Sequence, residues 1–238
     1  MKKKTKENSK LLKGFGIFSA IAIGLVSILV IAMTTSQVIL DSNSLTEIPT
    51  PELSEGMRGE LGIDKNVNES TIDNYLNRQD SVYRDMRMLV DPADYEKIGG
   101  DKYLSGFIDG FEVVPLPYII APEGLPEAVG ASYQGKTLFS RDENGKLMAN
   151  YAESEQILAD LFPKNKNIFL MCGGGGYAGM TKKLLVELGW DENKIWNVGG
   201  YWYYEGNHKI STKLENGNFA FWRVKYHDID FNSLTEKK

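Results

Sequence analysis

The chain's one cysteine stands where a short apolar segment meets a run of glycines. Cys172 ends the segment 167–172, the glycines occupy 173–176, and a helix is predicted to follow and to end before Gly189. The order strand, loop, helix places the cysteine at the carboxyl end of a strand, where open parallel sheets bind their ligands. A nucleophile is therefore predicted at Cys172.

The glycines indicate how such a sulfur atom could be activated. Glycine alone adopts positive φ angles without strain, so a glycine loop can curl around one atom and turn its N–H groups inward. The start of the next helix adds the positive end of its dipole at the same point. Both effects favour a thiolate, the reactive form, so we expect Cys172 to be solvent-accessible and to have a pKa below the ordinary value of about 8.5.

Composition limits the remaining possibilities. The 238 residues are 42% hydrophobic, which suits one domain of ordinary size with a tail. Of 27 Lys and Arg and 32 Asp and Glu, six lysines and one glutamate fall in the first 40 residues, leaving 21 basic and 31 acidic residues beyond them. An acidic body without a basic stripe excludes nucleic acid as the expected partner.

Metal and cofactor sites are not indicated either. A single cysteine allows neither an internal disulfide nor a cysteine-rich zinc site. The two histidines, His208 and His227, have no metal-ligand spacing with each other or with Cys172. We predict no metal and no cofactor.

The N-terminal segment indicates a membrane anchor. A basic tail over 1–13 precedes an uncharged apolar run, and 14–35 is predicted to be a transmembrane helix, because about 20 apolar residues span a hydrocarbon core of about 30 Å. The lysines keep the tail cytoplasmic, which places the rest of the chain outside a cell membrane crossed once. A cleaved signal peptide is the alternative, but the apolar run is longer than usual and Ala32-Met33-Thr34 is a poor cleavage site.

The rest of the chain divides into a linker and a domain. Residues 36–66 are polar, contain Pro49 and Pro51 and have no sustained period, so a linker is predicted there. Residues 67–238 then form the domain. Strands are predicted near 81–85, 112–114, 167–172 and 194–198, with helices at 154–162 and after the glycine run, an arrangement typical of an α/β fold with a parallel sheet and helices on both faces.

Two hairpins are predicted outside this alternating pattern. Asn144-Gly145 is a strong hairpin turn, so residues 137–149 are predicted to be an insertion at the edge of the sheet. A second turn at Asn216-Gly217 predicts a C-terminal hairpin extension.

Four motifs in order make residues 81–206 resemble the rhodanese homology domain. They are Asp85-x-Arg87, the segment from Gly106 to Pro115, the cysteine loop, and the Gly199-Gly200 pair with its aromatic residues. Phe107 and Phe111 stand where the family has histidine and alanine. The resemblance implies a rhodanese-like sheet, with Asp85 and Arg87 supporting the first strand.

The resemblance also implies a reaction and a site. In a rhodanese the cysteine takes sulfane sulfur from a donor as a persulfide and passes it to a thiol acceptor or cyanide, without a cofactor. Cys172 would be the nucleophile. The backbone N–H groups that would cradle the sulfur-containing anion belong to Gly173, Gly174, Gly175, Gly176, Tyr177 and Ala178.

Two loop positions depart from the active members of the family. Tyr177 replaces the usual cation, which weakens the expected binding of a dianion such as thiosulfate and favours a persulfide or polysulfide donor. Ala178 replaces the arginine that the related phosphatases require. Two functions stay open at this point: an extracytoplasmic sulfurtransferase, and a non-catalytic module that binds an anion or a partner protein.

Overall fold

The computed structural model describes residues 46–93, 100–122 and 133–237. The predicted basic tail 1–13 and transmembrane helix 14–35 lie outside these residues. Among the described residues, no helix has both the length and the apolar character needed to cross a membrane. A compact unit begins at Ile48.

The centre of this unit is a four-stranded parallel sheet in the order β3-β1-β6-β7. Its strands are β1 (Ser81–Asp85), β3 (Glu112–Val113), β6 (Asn167–Cys172) and β7 (Ile195–Gly200). Five of the six β6 residues are buried, which explains a strand that is apolar on both faces. The predicted α/β class with a parallel sheet is confirmed.

All three described α-helices contribute to one hydrophobic cluster, on one face of the sheet. They are α1 (Leu116–Ile119), α2 (Ser154–Leu161) and α3 (Gly176–Glu187). The sheet residues of that cluster include Ile168, Leu170 and Cys172, which alternate along β6 with residues facing the other way. Among the described residues, the three α-helices therefore lie on this face of the sheet.

The second face is covered by a 3-10 turn and aromatic side chains. The turn spans Ile72–Tyr75 and packs with Phe169 and Met171 of β6. Phe169 stacks between Tyr83 and Trp196, with ring centroids 5.2 and 5.1 Å away. A short helical turn suffices here because large rings fill the space that a longer helix would occupy.

Both predicted hairpin turns form. Strands β4 (Phe139–Arg141) and β5 (Leu147–Ala149) pair antiparallel around Asn144-Gly145, as predicted. At the C-terminus, the turn at Asn216-Gly217 forms: Lys213 and Phe219 make an antiparallel bridge, and the N–H of Ala220 donates to the carbonyl of Thr212 at 2.7 Å. Strand β8 (Lys209–Ser211) pairs antiparallel with β2 (Gly106–Ile108).

Part of the stretch expected to be a linker lies against the sheet. The Trp196 indole donates to the carbonyl oxygen of Pro49 at 3.0 Å. The N–H of Asp64 donates to the carbonyl of Asn197 at 2.8 Å, and the Asn197 amide donates to the carbonyl of Leu61 at 2.9 Å. Residues 49–64 therefore run along β7, beside the end of the strand that carries Cys172.

Candidate functional site

The cysteine loop has the backbone shape that its glycines predict. Gly175 has a φ of +105° and forms the N-cap of α3, a conformation that L side chains rarely adopt. At Gly200, the last residue of β7, an added β-carbon would lie 2.3 Å from the carbonyl oxygen of Gly173. The loop is therefore compact because one glycine turns it and another lets the neighbouring strand approach.

Three loop amides face the sulfur atom of Cys172. The N–H of Gly175 donates to Sγ with a distance of 3.0 Å. The N–H groups of Ala178 and Gly174 also lower the pKa of its thiol. Gly173 uses its carbonyl to accept from the N–H of Trp202 at 3.1 Å. The sulfur thus lies among inward-facing amides at the start of α3.

The net effect on the thiol differs from the expectation. Burial raises the pKa of Cys172 and is the largest influence; the amides of Ala178, Gly175 and Gly174 lower it, and the Asp85 charge adds to the rise. The balance is a pKa above the ordinary value, which corrects the prediction of a lowered one. Desolvation outweighs the amides because the sulfur is removed from water.

Cys172 is 4% exposed, so the expected solvent access is also corrected. The Trp202 indole packs on the loop. A β-carbon added at Gly173 would lie 2.5 Å from Cζ2 of Trp202, and one added at Gly174 would lie 3.6 Å from its Cζ3. Trp202 belongs to the 3-10 turn Tyr201–Tyr203, among the aromatic residues that follow the Gly199-Gly200 pair. A bulky ring therefore covers the outer side of the glycine loop.

Asp85 and Arg87 form a buried ion pair beside the cysteine. Arg87 Nη2 lies 2.5 Å from Asp85 Oδ2, Nε lies 2.9 Å from Oδ1, and Nη2 also donates to the carbonyl of Gly106 at 2.8 Å. The guanidinium stacks 4.4 Å from the ring centre of Tyr201. These contacts tie the end of β1 to β2 and to the turn after β7.

The same pair interacts with Cys172 electrostatically. Burial is the largest single influence on the pKa of Arg87 and lowers it, but Asp85, Tyr201 and Cys172 together raise it above its ordinary value. A fixed cation next to a buried sulfur offsets part of the cost of forming a thiolate there.

The Tyr177 side chain points away from the predicted anion. It is buried in the core cluster, and its hydroxyl donates to Asp91 Oδ2 at 3.3 Å. The Tyr177 hydroxyl is thus directed to Asp91 and not to the predicted anion.

Sequence reasoning missed Arg58, which reaches the loop from the stretch predicted to be a linker. Its Nη2 donates to the carbonyl oxygen of Gly174 at 3.1 Å, and its guanidinium lies 3.7 Å above the Tyr203 ring. The second nitrogen, Nη1, pairs with Glu69. No local signal could have found it, because 116 residues separate the two partners.

The described residues contain no group of three His, Cys, Asp or Glu side chains that could hold a metal ion. His227 is engaged at the sheet edge, where its Nε2 lies 2.8 Å from Glu112 Oε2. No family model, curated protein or solved structure matches this chain.

Proposed function

We propose that this protein is a rhodanese-like sulfurtransferase that carries sulfane sulfur as a persulfide on Cys172. The observation that carries the proposal is the set of loop amides around Sγ, with Gly175 N at 3.0 Å. These N–H groups stabilise negative charge, which the protonated Cys172 thiol does not carry. A thiolate or a persulfide anion would use them fully.

The reaction has two balanced half-reactions. The Cys172 thiolate attacks the outer sulfur of the donor, a new S–S bond forms, and the old S–S bond breaks with its electron pair on the leaving group. With thiosulfate the leaving group is sulfite. The terminal sulfur of Cys172–S–S⁻ is then taken by a thiolate or cyanide, which returns the Cys172 thiolate.

The loop favours a donor of low charge. The side chain at the position of the family's cation, Tyr177, is turned toward Asp91, and the Asp85 carboxylate raises the pKa of the sulfur. The nearby cations Arg87 and Arg58 are each paired with a carboxylate, so a dianion would meet little net positive charge. A thiosulfonate, persulfide or polysulfide is therefore the better donor class.

Burial supports a second candidate, a non-catalytic module that binds an anion or a partner protein. A cysteine that is 4% exposed and whose thiol has a raised pKa suits a structural role better than that of an open nucleophile. Catalysis requires Trp202 to move off the loop far enough for a donor to reach Sγ. Binding at the outer side of the loop requires no such step.

We also propose that the domain works outside a cell membrane, anchored by residues 14–35 with the basic tail 1–13 inside. The support is the uncharged apolar run that follows six lysines. Protease added to intact cells would digest the domain if this orientation holds, and would leave it whole if the domain faces inward.

Steady-state kinetics test the sulfurtransferase proposal. With a thiosulfonate as donor and cyanide as acceptor, wild type should form thiocyanate with the parallel double-reciprocal lines of a ping-pong mechanism. Cys172→Ser should form none above background, and thiosulfate should give a lower kcat/KM than the thiosulfonate. Equal rates for wild type and Cys172→Ser would reject the enzyme and leave the binding module.

A further inference from the structure

One peptide group connects Arg58 to the sulfur of Cys172. The carbonyl oxygen of Gly174 accepts from Arg58 Nη2 at 3.1 Å, and the N–H of Gly175, which belongs to the same peptide, donates to Sγ at 3.0 Å. The oxygen and hydrogen of a trans peptide point in opposite directions. A donor that fixes the oxygen from one side therefore aims the hydrogen at whatever lies on the other.

We propose that Arg58 is a positioning residue, which holds and polarises the Gly174–Gly175 peptide so that its N–H stabilises the anionic sulfur on Cys172. The inference deepens the proposed function, on which its catalytic meaning rests. A charged donor on the carbonyl strengthens the N–H at the other end of the amide, since hydrogen bonds in a chain polarise one another.

The guanidinium is held in place for this task. Glu69 pairs with its Nη1, and the Tyr203 ring lies under it at 3.7 Å. Glu69 Oε2 is buried and has no hydrogen-bond partner among the described residues, so the carboxylate depends on Arg58 as its counter-charge. These two contacts hold the planar group with Nη2 facing the loop.

Other charged or titratable groups also act on Cys172. From β1 and the segment after it come Asp85, which raises the pKa of the thiol, and Arg87, which interacts with the sulfur as a cation. Tyr201 stacks on Arg87, and Asp91 is engaged by Tyr177. Arg58 differs from these because its effect is transmitted through a peptide that bonds to the sulfur.

The pH dependence of Cys172 alkylation by iodoacetamide tests the inference in the full chain. Arg58→Gln should raise the midpoint by about half a pH unit, so that alkylation below the midpoint is about threefold slower. Arg58→Lys, which keeps a cation but not the planar fork, should fall between Arg58→Gln and wild type. Arg223→Gln, at an exposed site bonded to Ser211, is the control and should match wild type.

The sign of the shift separates positioning from mere loss of structure. Loosening the loop would admit water and move the thiol down toward its ordinary pKa, opposite to the expected direction. Arg58→Gln leaves Glu69 without its counter-charge, so the double variant Arg58→Gln/Glu69→Gln is the second test and should keep the raised midpoint with wild-type unfolding behaviour. An unchanged or lowered midpoint in the double variant would overturn the inference.

This outcome is distinguishable from failure of the proposed function. The alkylation midpoint reports on the thiol whether or not sulfur is transferred. A shift without any thiocyanate formation would reject the enzyme and retain the positioning role.

Discussion

Replacing Gly175 with alanine tests the loop geometry quantitatively. Gly175 has a φ of +105°, and an added β-carbon would lie 3.0 Å from Ile63 Cδ1 and 3.1 Å from Ile63 Cγ1. The left-handed backbone costs an L residue about 1–2 kcal/mol, and crowding of Ile63 adds about 1 kcal/mol. We expect Gly175→Ala to lower the free energy of unfolding by about 2–3 kcal/mol in total.

The matched control is Gly217→Ala in the exposed C-terminal turn. Gly217 has a φ of +82° with no atom within 4 Å of the added β-carbon, so it carries the backbone cost without the contact. Urea unfolding should therefore give a loss of about 1–2 kcal/mol for Gly217→Ala and a larger one for Gly175→Ala. Thiocyanate formation should fall only in Gly175→Ala. Equal losses in the two variants would refute the tight contact at the loop.

Three further predictions concern the surroundings of the sulfur. Asp85→Asn should lower the free energy of unfolding in urea by about 3–5 kcal/mol, because it leaves Arg87 buried without its partner. Glu187→Gln, in the more exposed pair with Arg141, should lower it by less than about 1 kcal/mol. Similar losses in the two variants would contradict the argument. Tyr177→Phe should lose about 0.5–1.5 kcal/mol of stability yet keep kcat/KM, since its hydroxyl faces Asp91; a large loss of kcat/KM would place that hydroxyl on the substrate. Folding raises the pKa of the Cys172 thiol, so the protonated thiol contributes its full stability below the ordinary thiol pKa. That stability is lost as pH rises from the ordinary value through the folded value. Over this pH range, urea unfolding should therefore show a larger loss of stability for wild type than for Cys172→Ser, and equal losses would contradict the raised pKa.

Local patterns were enough to predict the frame of the site. The apolar run 167–172, the glycines after it and the helix that follows appear as β6, the loop and α3. Asn144-Gly145 marked a hairpin because its turn type needs those residues. In each case the signal lies within about ten residues of the element that it specifies.

The features that decide reactivity depend on contacts between distant parts of the chain. The burial of Cys172 follows from packing by Trp202 and the core, whereas the sequence offered only the glycines and the helix dipole, which act the other way. Arg58 reaches Gly174 from a segment whose prolines and polar residues are typical of a linker. Strand β8 pairs with β2, about 100 residues earlier in the chain, and no turn signal indicates such a pairing.

The most direct test of the account is the mass of the whole protein after incubation with polysulfide and removal of the excess. The account predicts a gain of about 32 Da, the mass of one sulfur atom, that maps to the peptide containing Cys172, is reversed by an added thiol, and is absent in Cys172→Ser. No gain in wild type with any sulfane donor, under conditions where Cys172 can be alkylated, would contradict the claim that this sulfur atom carries another.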